Sequence, residues 1–371
     1  IFFLRIAVEQ GWLQPPLRVA IGIVVGISLL VFCERRAAGR YRITANALDA
    51  AAVTILYSTF FAAHALWHLF GDNYGGLVAF GLLALVTVLA VTLAIRRSSM
   101  FIAGLGLLGG FAAPALLSTG QDNPFGLFGY LVLLNTGLGW VARRTRWTHL
   151  LVAALALTTF YQWSWVFTFL TTDNVPVAAG VFLTFPVLAY LLLTAGGMVR
   201  GELDSEQQAR QTPFHKLAAV SAVLPYLAVF YLVVPPLGDQ FLWLFGLLFL
   251  LDAGLLSVAI GLRHEDLHTL GGLCTVTVTM MWMGLSYSSA AWPIFLPIVC
   301  VFVALYLLAP FVAGWLGRPF TASARHAAFV PPFMLVSFSV LAAREPATAA
   351  PGLLFGVLFL SSVSMFLLMR T

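Results

Sequence analysis

The chain has 371 residues, of which 61% are hydrophobic and only 9% charged, with a mean hydropathy of +0.97 and a formal net charge of +5. A soluble domain carries roughly 25% charged residues, so a water-facing surface cannot be built from this composition and the solvent must mostly be lipid. The basic balance therefore fits loops held on the cytoplasmic side of a bilayer, not a nucleic-acid partner.

A helix needs about 20 apolar residues to cross the hydrocarbon core, and backbone exposed to lipid must satisfy its own hydrogen bonds. Apolar runs of suitable length fall at 1–11 (a partial segment), 17–33, 47–70, 75–95, 100–118, 125–142, 148–170, 175–199, 214–235, 240–262, 267–286, 291–315, 326–343 and 350–369. The expected fold is all-α, a polytopic transmembrane bundle of about 13–14 segments at this spacing. Ile1-Phe2-Phe3-Leu4 opens without a methionine, as if entering partway through a helix, so an N-terminal truncation is expected. The longest polar stretch, Arg200 to Pro213, suggests a cytoplasmic linker at 200–213 between an N-terminal bundle (1–199) and a C-terminal bundle (214–371).

The connections support that count. Arg35, Arg36, Arg40, Arg42, Arg96, Arg97, Arg143, Arg144 and Arg146 lie on alternate connections. So do Arg200, Arg210, Lys216, Arg263, Arg318, Arg325 and Arg370, whereas the opposite set holds only Arg18 and Arg344. A wrong segment count would scramble the alternation. The positive-inside rule then puts both termini in the cytoplasm. The unit repeated along the chain is the hairpin 96–147, two apolar runs with arginine feet joined by Gln121-Asp122-Asn123-Pro124. Trp12, Trp67, Trp243 and Trp292 fall near outer ends of segments, and Trp140, Trp147 and Trp315 near inner ends, as aromatic belts require.

Cys33, Cys274 and Cys300 lie in or beside apolar runs with no CxxC spacing, which indicates neither a disulfide framework nor a zinc site. There is no phosphate-binding loop and no Rossmann fingerprint, so no cofactor is expected. No nucleophile–base pair or carboxylate cluster marks a catalytic residue, and the outer connections are too short for a periplasmic catalytic domain.

Several short stretches together resemble one family. They are Gly11-Trp12 with Pro16-Leu17-Arg18-Val19, Leu56-Tyr57 with Phe61-Ala62-Ala63, Leu105-Gly106-Leu107-Leu108-Gly109-Gly110-Phe111 with Pro114, and Tyr130 through Asn135. They resemble DUF2339, a family of bacterial membrane proteins, best over 1–165. The resemblance implies a multi-pass protein of the bacterial inner membrane. It also implies that this chain is a segment of a longer protein or a short member. It carries over no catalytic residues.

Four groups of residues are candidates for a site. Gly106 and Gly110 form a GxxxG with Gly104 and Gly109 beside them, and Pro114 should kink or interrupt the same helix. This is either a tight packing seam or a broken helix lining a cavity. Asp252 lies mid-segment, where a carboxylate is costly unless paired, hydrated or protonated. It is either a proton or ion site or a structural aspartate held between helices. Asn135 and Gln162, also within segments, are hydrogen-bond donors available to Asp252 or to each other. His64 and His68, at i and i+4, share a helix face, and Asp72 extends the row if the helix continues past Gly71, a weak metal candidate. Asn46 and Asp49 look like helix-start residues satisfying free N–H groups.

Two functions fit these features. One is a transporter or flippase-like protein for a small or lipid-linked envelope substrate. The alternative is a non-catalytic structural or assembly subunit that holds partner membrane or envelope proteins through its helix faces. Membrane lipids are expected partners in both cases.

Overall fold

The computed structural model describes residues 14–37, 42–71, 75–118, 120–145, 147–194, 216–262, 265–320 and scattered positions from 352 to 366. Among the described residues the chain is built of eleven α-helices and no strand. They are α1 (Pro15–Phe32), α2 (Arg42–Ala65), α3 (Gly75–Arg97), α4 (Met100–Leu116), α5 (Pro124–Thr145) and α6 (Thr148–Phe169). After them come α7 (Val175–Thr194), α8 (Lys216–Leu232, broken by a turn at Leu224 and Pro225), α9 (Phe241–Leu262), α10 (Asp266–Leu285) and α11 (Trp292–Trp315). Eight of these stretches are long and apolar enough to cross a membrane. Of the expected segments, 1–11 and 326–343 lie outside the described residues, as does the linker 200–213.

Helix ends fall where the local chemistry dictates. Asn123 accepts a hydrogen bond from the Gly126 N–H at 3.0 Å, and Pro124 sits at the first helical position of α5, where its missing N–H costs nothing. Gly317, at φ +70°, closes α11, and the following Arg318 N–H returns to the Ala313 carbonyl at 2.9 Å, a glycine-type C-terminal motif.

The chain divides into two compact units, 1–161 and 162–371. In the first unit α1 packs on α2, α2 on α3 and α4, and α4 between α3 and α5. One end of this group is held by ions. The π turn after α1 (Cys33–Ala37) carries Glu34, whose carboxylate meets Arg96 at 2.6 Å and Arg97 at 2.7 Å. Arg97 Nε also donates to Asp49 on α2 at 2.9 Å. Here the sequence expectation is corrected. Because α2 begins at Arg42, Asn46 and Asp49 lie beyond its first turn and cap nothing; Asp49 is a buried acid paired with Arg97.

In the second unit α9 is the central helix, packed by α7, α8, α10 and α11. Of its apolar window 61% is buried inside the protein, against 11% for α1, which is why a polar side chain on α9 meets protein and not lipid. Its wall near one end is aromatic. Trp282 lies among Phe241, Phe245 and Phe295 and sends its indole N–H to the Gly238 carbonyl at 2.8 Å.

Candidate functional site

Asp252 stands halfway along α9 and is 3% exposed. A carboxylate so far from water persists only with hydrogen-bond donors on its oxygens, and two neighbouring helices supply them. The Tyr226 hydroxyl of α8 donates to Oδ1 at 2.5 Å, and the Thr275 hydroxyl of α10 donates to Oδ2 at 2.6 Å. Tyr306 of α11 holds its hydroxyl 3.4 Å from Thr275 Oγ1. Either hydroxyl can be the donor in that contact. Among the described residues no cation forms an ion pair with Asp252.

The sequence of α10 builds this pocket of hydroxyls. Its buried face runs His268, Gly271, Gly272, Thr275, Val278, Thr279 and Trp282, the three- and four-residue intervals of one helix side. Gly271 is there because nothing larger fits: a Cβ on it would lie 3.0 Å from Leu255 Cδ2, 3.2 Å from Asp252 Oδ1 and 3.3 Å from the Tyr306 hydroxyl. The Thr279 hydroxyl is turned to the Thr275 carbonyl at 2.7 Å and takes no part. His268, in the first turn of α10, is 2% exposed. Its ring stacks on Tyr306 (centroids 4.9 Å apart, planes at 24°) and lies 5.4 Å from the ring of Phe320. Its Nε2 is buried with no hydrogen-bond partner among the described residues. Phe320 also lines a cavity of about 250 Å³ with Glu265, Arg318 and the end of α9. Arg318 closes that end of α9 by donating to the Ile260 and Gly261 carbonyls at 3.0 and 2.9 Å.

An all-oxygen donor set around one carboxylate suits a proton or a small hard cation rather than a transition metal. Among the described residues there is no group of three or more His, Cys, Asp or Glu side chains placed to hold a metal ion.

The other sequence candidates fall elsewhere. Asn135 donates to the Thr158 hydroxyl at 2.9 Å and to the Leu131 carbonyl at 2.8 Å. Gln162 donates to the Val181 carbonyl at 3.4 Å. The shared helix face expected for His64 and His68 does not form. The helix ends at Ala65, and His68 turns into the left-handed region at φ +47°. Asp72 lies outside the described residues.

Of the expected kink or interruption at Pro114, the interruption does not occur: the glycine-rich α4 runs through Pro114 to Leu116. A neighbouring side chain replaces the lost backbone bond. Pro114 has no N–H for the Gly110 carbonyl four residues earlier, and the Tyr130 hydroxyl of α5 donates to that carbonyl at 2.9 Å. Tyr161 donates to the next carbonyl, Phe111, and Tyr57 reaches the Gly106 carbonyl at 3.5 Å. The small residues serve close approach. A Cβ would lie 3.0 Å from Ala90 Cβ at Gly106, 2.5 Å from Tyr57 Cε2 at Gly109 and 2.9 Å from Leu134 Cδ1 at Gly110, whereas Gly104 faces open space.

Sequence inspection missed Tyr226, His268, Thr275 and Tyr306. Only the polar positions His268, Thr275 and Thr279, which recur on one side of α10, offered a signal.

Fold and site together define a multi-pass α-helical membrane protein with a buried acid–hydroxyl cluster in its second unit. The chain belongs to the family described as predicted membrane protein (DUF2339), whose model matches residues 1–243. The match runs past 1–165 and includes Tyr226, but ends in the first turn of α9, short of Asp252. No curated protein and no solved structure matches the chain.

Proposed function

We propose that the chain is the membrane-embedded body of a bacterial inner-membrane transporter or flippase-like protein. It moves a small or lipid-linked envelope substrate and uses Asp252 as its exchangeable ion site. The observation that carries this is the carboxylate itself: buried at mid-helix, with no cation paired to it among the described residues, on hydroxyls that can take either role in a hydrogen bond. An aspartate that only glued helices together would do as well as an asparagine, at far lower desolvation cost. The arginine-bearing ends face the cytoplasm, with both termini on that side.

The test is charge displacement by the full chain in vesicles adsorbed to a solid-supported membrane, after a jump in pH or in sodium concentration. Wild-type protein should give a transient that Asp252→Asn abolishes at unchanged protein density and monodispersity. Wild-type vesicles that match protein-free ones would refute the proposal.

One observation favours a second reading, a scaffold for partner envelope proteins. In the first unit the hydroxyls of Tyr57, Tyr130 and Tyr161 sit on the carbonyls of α4, so the glycine helix is built as a packing element. A scaffold gives no transient, copurifies with a defined partner and tolerates Asp252→Asn.

A further inference from the structure

We infer that the cavity at the end of α9 takes the headgroup of an aminophospholipid. The phosphodiester sits on Arg318, the primary ammonium on Glu265, and the acyl chains run along the outer face of α11. This site is separate from Asp252 and does not depend on the exchange proposed there.

The fold sets the depth of the cavity. α9 and α11, each long enough to cross the membrane, end here, and α10 begins here, so the space lies at headgroup level. Ala259 and Ile260 of α9 and the ring of Phe320 make its walls apolar, while Glu265 and Arg318 supply one charge of each sign. Its volume of about 250 Å³ matches roughly eight waters at about 30 Å³ each, the bulk of a phosphate with an aminoethyl arm.

The two charges border one space without meeting. Among the described residues Arg318 forms no ion pair, with Glu265 or any other acid. Opposite charges held apart across a common cavity complement a ligand that carries both. Arg318 is already in position, because its Nη1 donates to the Ile260 and Gly261 carbonyls at 3.0 and 2.9 Å. Among the described residues nothing accepts from its Nε or Nη2. Those N–H groups form the fork that suits phosphate oxygens, and a fork fixed beforehand lowers the ordering cost of binding. Glu265, at the N-cap position of α10, makes no side-chain cap bond. A carboxylate accepts from several donors at once, so Glu265 can serve an ammonium whatever its other contacts.

The acyl chains have a track. The exposed side of α11 carries Leu308, Phe311, Val312 and Trp315 at three- and four-residue intervals and ends just before Arg318. Trp315, 87% exposed, stands where an aromatic belt residue meets the headgroups. Basic pockets between membrane helices ordinarily take anionic headgroups. Here the carboxylate turns the preference to a lipid that also carries a cation with N–H donors.

The test is native mass spectrometry of the full chain, titrated in detergent with phosphatidylethanolamine, phosphatidylcholine and phosphatidylglycerol of the same acyl chains, and separately with inorganic phosphate. The choline lipid has the charge but no N–H for Glu265, and the glycerol lipid has no cation. One phosphatidylethanolamine should bind at least fivefold more tightly than either. Glu265→Gln should bring it to the level of phosphatidylglycerol, and Arg318→Gln should weaken all three lipids at least fivefold. Asp252→Asn should bind phosphatidylethanolamine as the wild type does, and a loss there would overturn the separation of the two sites. Equal binding of the three lipids, a preference for phosphatidylglycerol, or an ethanolamine preference that survives Glu265→Gln would overturn the assignment. Displacement of phosphatidylethanolamine by inorganic phosphate would make the cavity a site for soluble anions instead. If Arg318→Gln fails to fold for want of its bonds to α9, Glu265→Gln decides alone.

Discussion

Replacing Tyr130 with phenylalanine removes one oxygen atom and, with it, the partner of a backbone carbonyl that Pro114 left free. The ring itself should stay where it is, since it packs edge-on to Phe80 with centroids 4.4 Å apart and Tyr130 is only 7% exposed. What changes is the Gly110 carbonyl, which loses a 2.9 Å bond in a helix surrounded by apolar side chains. A buried acceptor without a donor costs about 1–3 kcal/mol. Hydrogen bonds between membrane helices measure lower, about 0.6 on average and about 1.7 at most, because the unfolded state in lipid also finds partners. The expected loss is therefore about 1–2 kcal/mol, and a double-mutant cycle isolates its cause. Pro114→Ala restores an N–H at the position that serves the Gly110 carbonyl, so on that background Tyr130→Phe should cost under about 0.5 kcal/mol. The measurement is reversible unfolding of the four proteins in mixed micelles by denaturing detergent. Equal costs of Tyr130→Phe on both backgrounds would refute the link between Pro114 and Tyr130.

The ion cluster in the first unit is graded by burial. Asp49→Ala strands Arg97, whose side chain is 15% exposed, and should cost about 3 kcal/mol, the low end for a broken buried pair because Glu34 still holds the guanidinium. Glu34→Gln, at a carboxylate 46% exposed, should cost no more than about 1 kcal/mol. Unfolding curves that rank the two in the opposite order contradict the assignment. The glycines of α4 are also separable. Gly109→Ala drives a Cβ into the Tyr57 ring, which cannot swing freely while its hydroxyl is held on Thr87 at 2.7 Å, and should cost about 1–3 kcal/mol. Gly104→Ala meets nothing and should be neutral or stabilising by up to about 1 kcal/mol, from helix propensity alone. Thermal melts of the two variants side by side check both.

Helix existence was legible because length and hydropathy act locally: α1 through α11 start and stop within a few residues of the apolar runs. Partners were not, because they are set by which faces meet. Asp252 was visible as a lone carboxylate, yet nothing in its own segment names Tyr226, 26 residues earlier, or Thr275, 23 residues later. Asp49 misled for the same reason. An acid near the start of an apolar run looks like a cap, and only the packing of α2 on α3 brings it to Arg97. The two histidines failed differently. Spacing of four residues implies a shared face only where the helix continues, and the turn after Ala65 ends it.

The two units use the same group, a tyrosine hydroxyl carried in from another helix, for opposite ends. In the first unit three such hydroxyls sit on carbonyls of α4. A carbonyl accepts and never donates, so each contact is fixed in direction and the result is a closed, static seam. In the second unit the acceptor at the end of the chain is a carboxylate, which can gain a proton and then donate in turn. A hydroxyl can donate or accept, so Tyr226 and Thr275 suit a carboxylate and a neutral carboxyl alike. The difference lies in the acceptor, and that is why Asp252, and not the glycine helix with its better-matched family motif, is the place to look for activity.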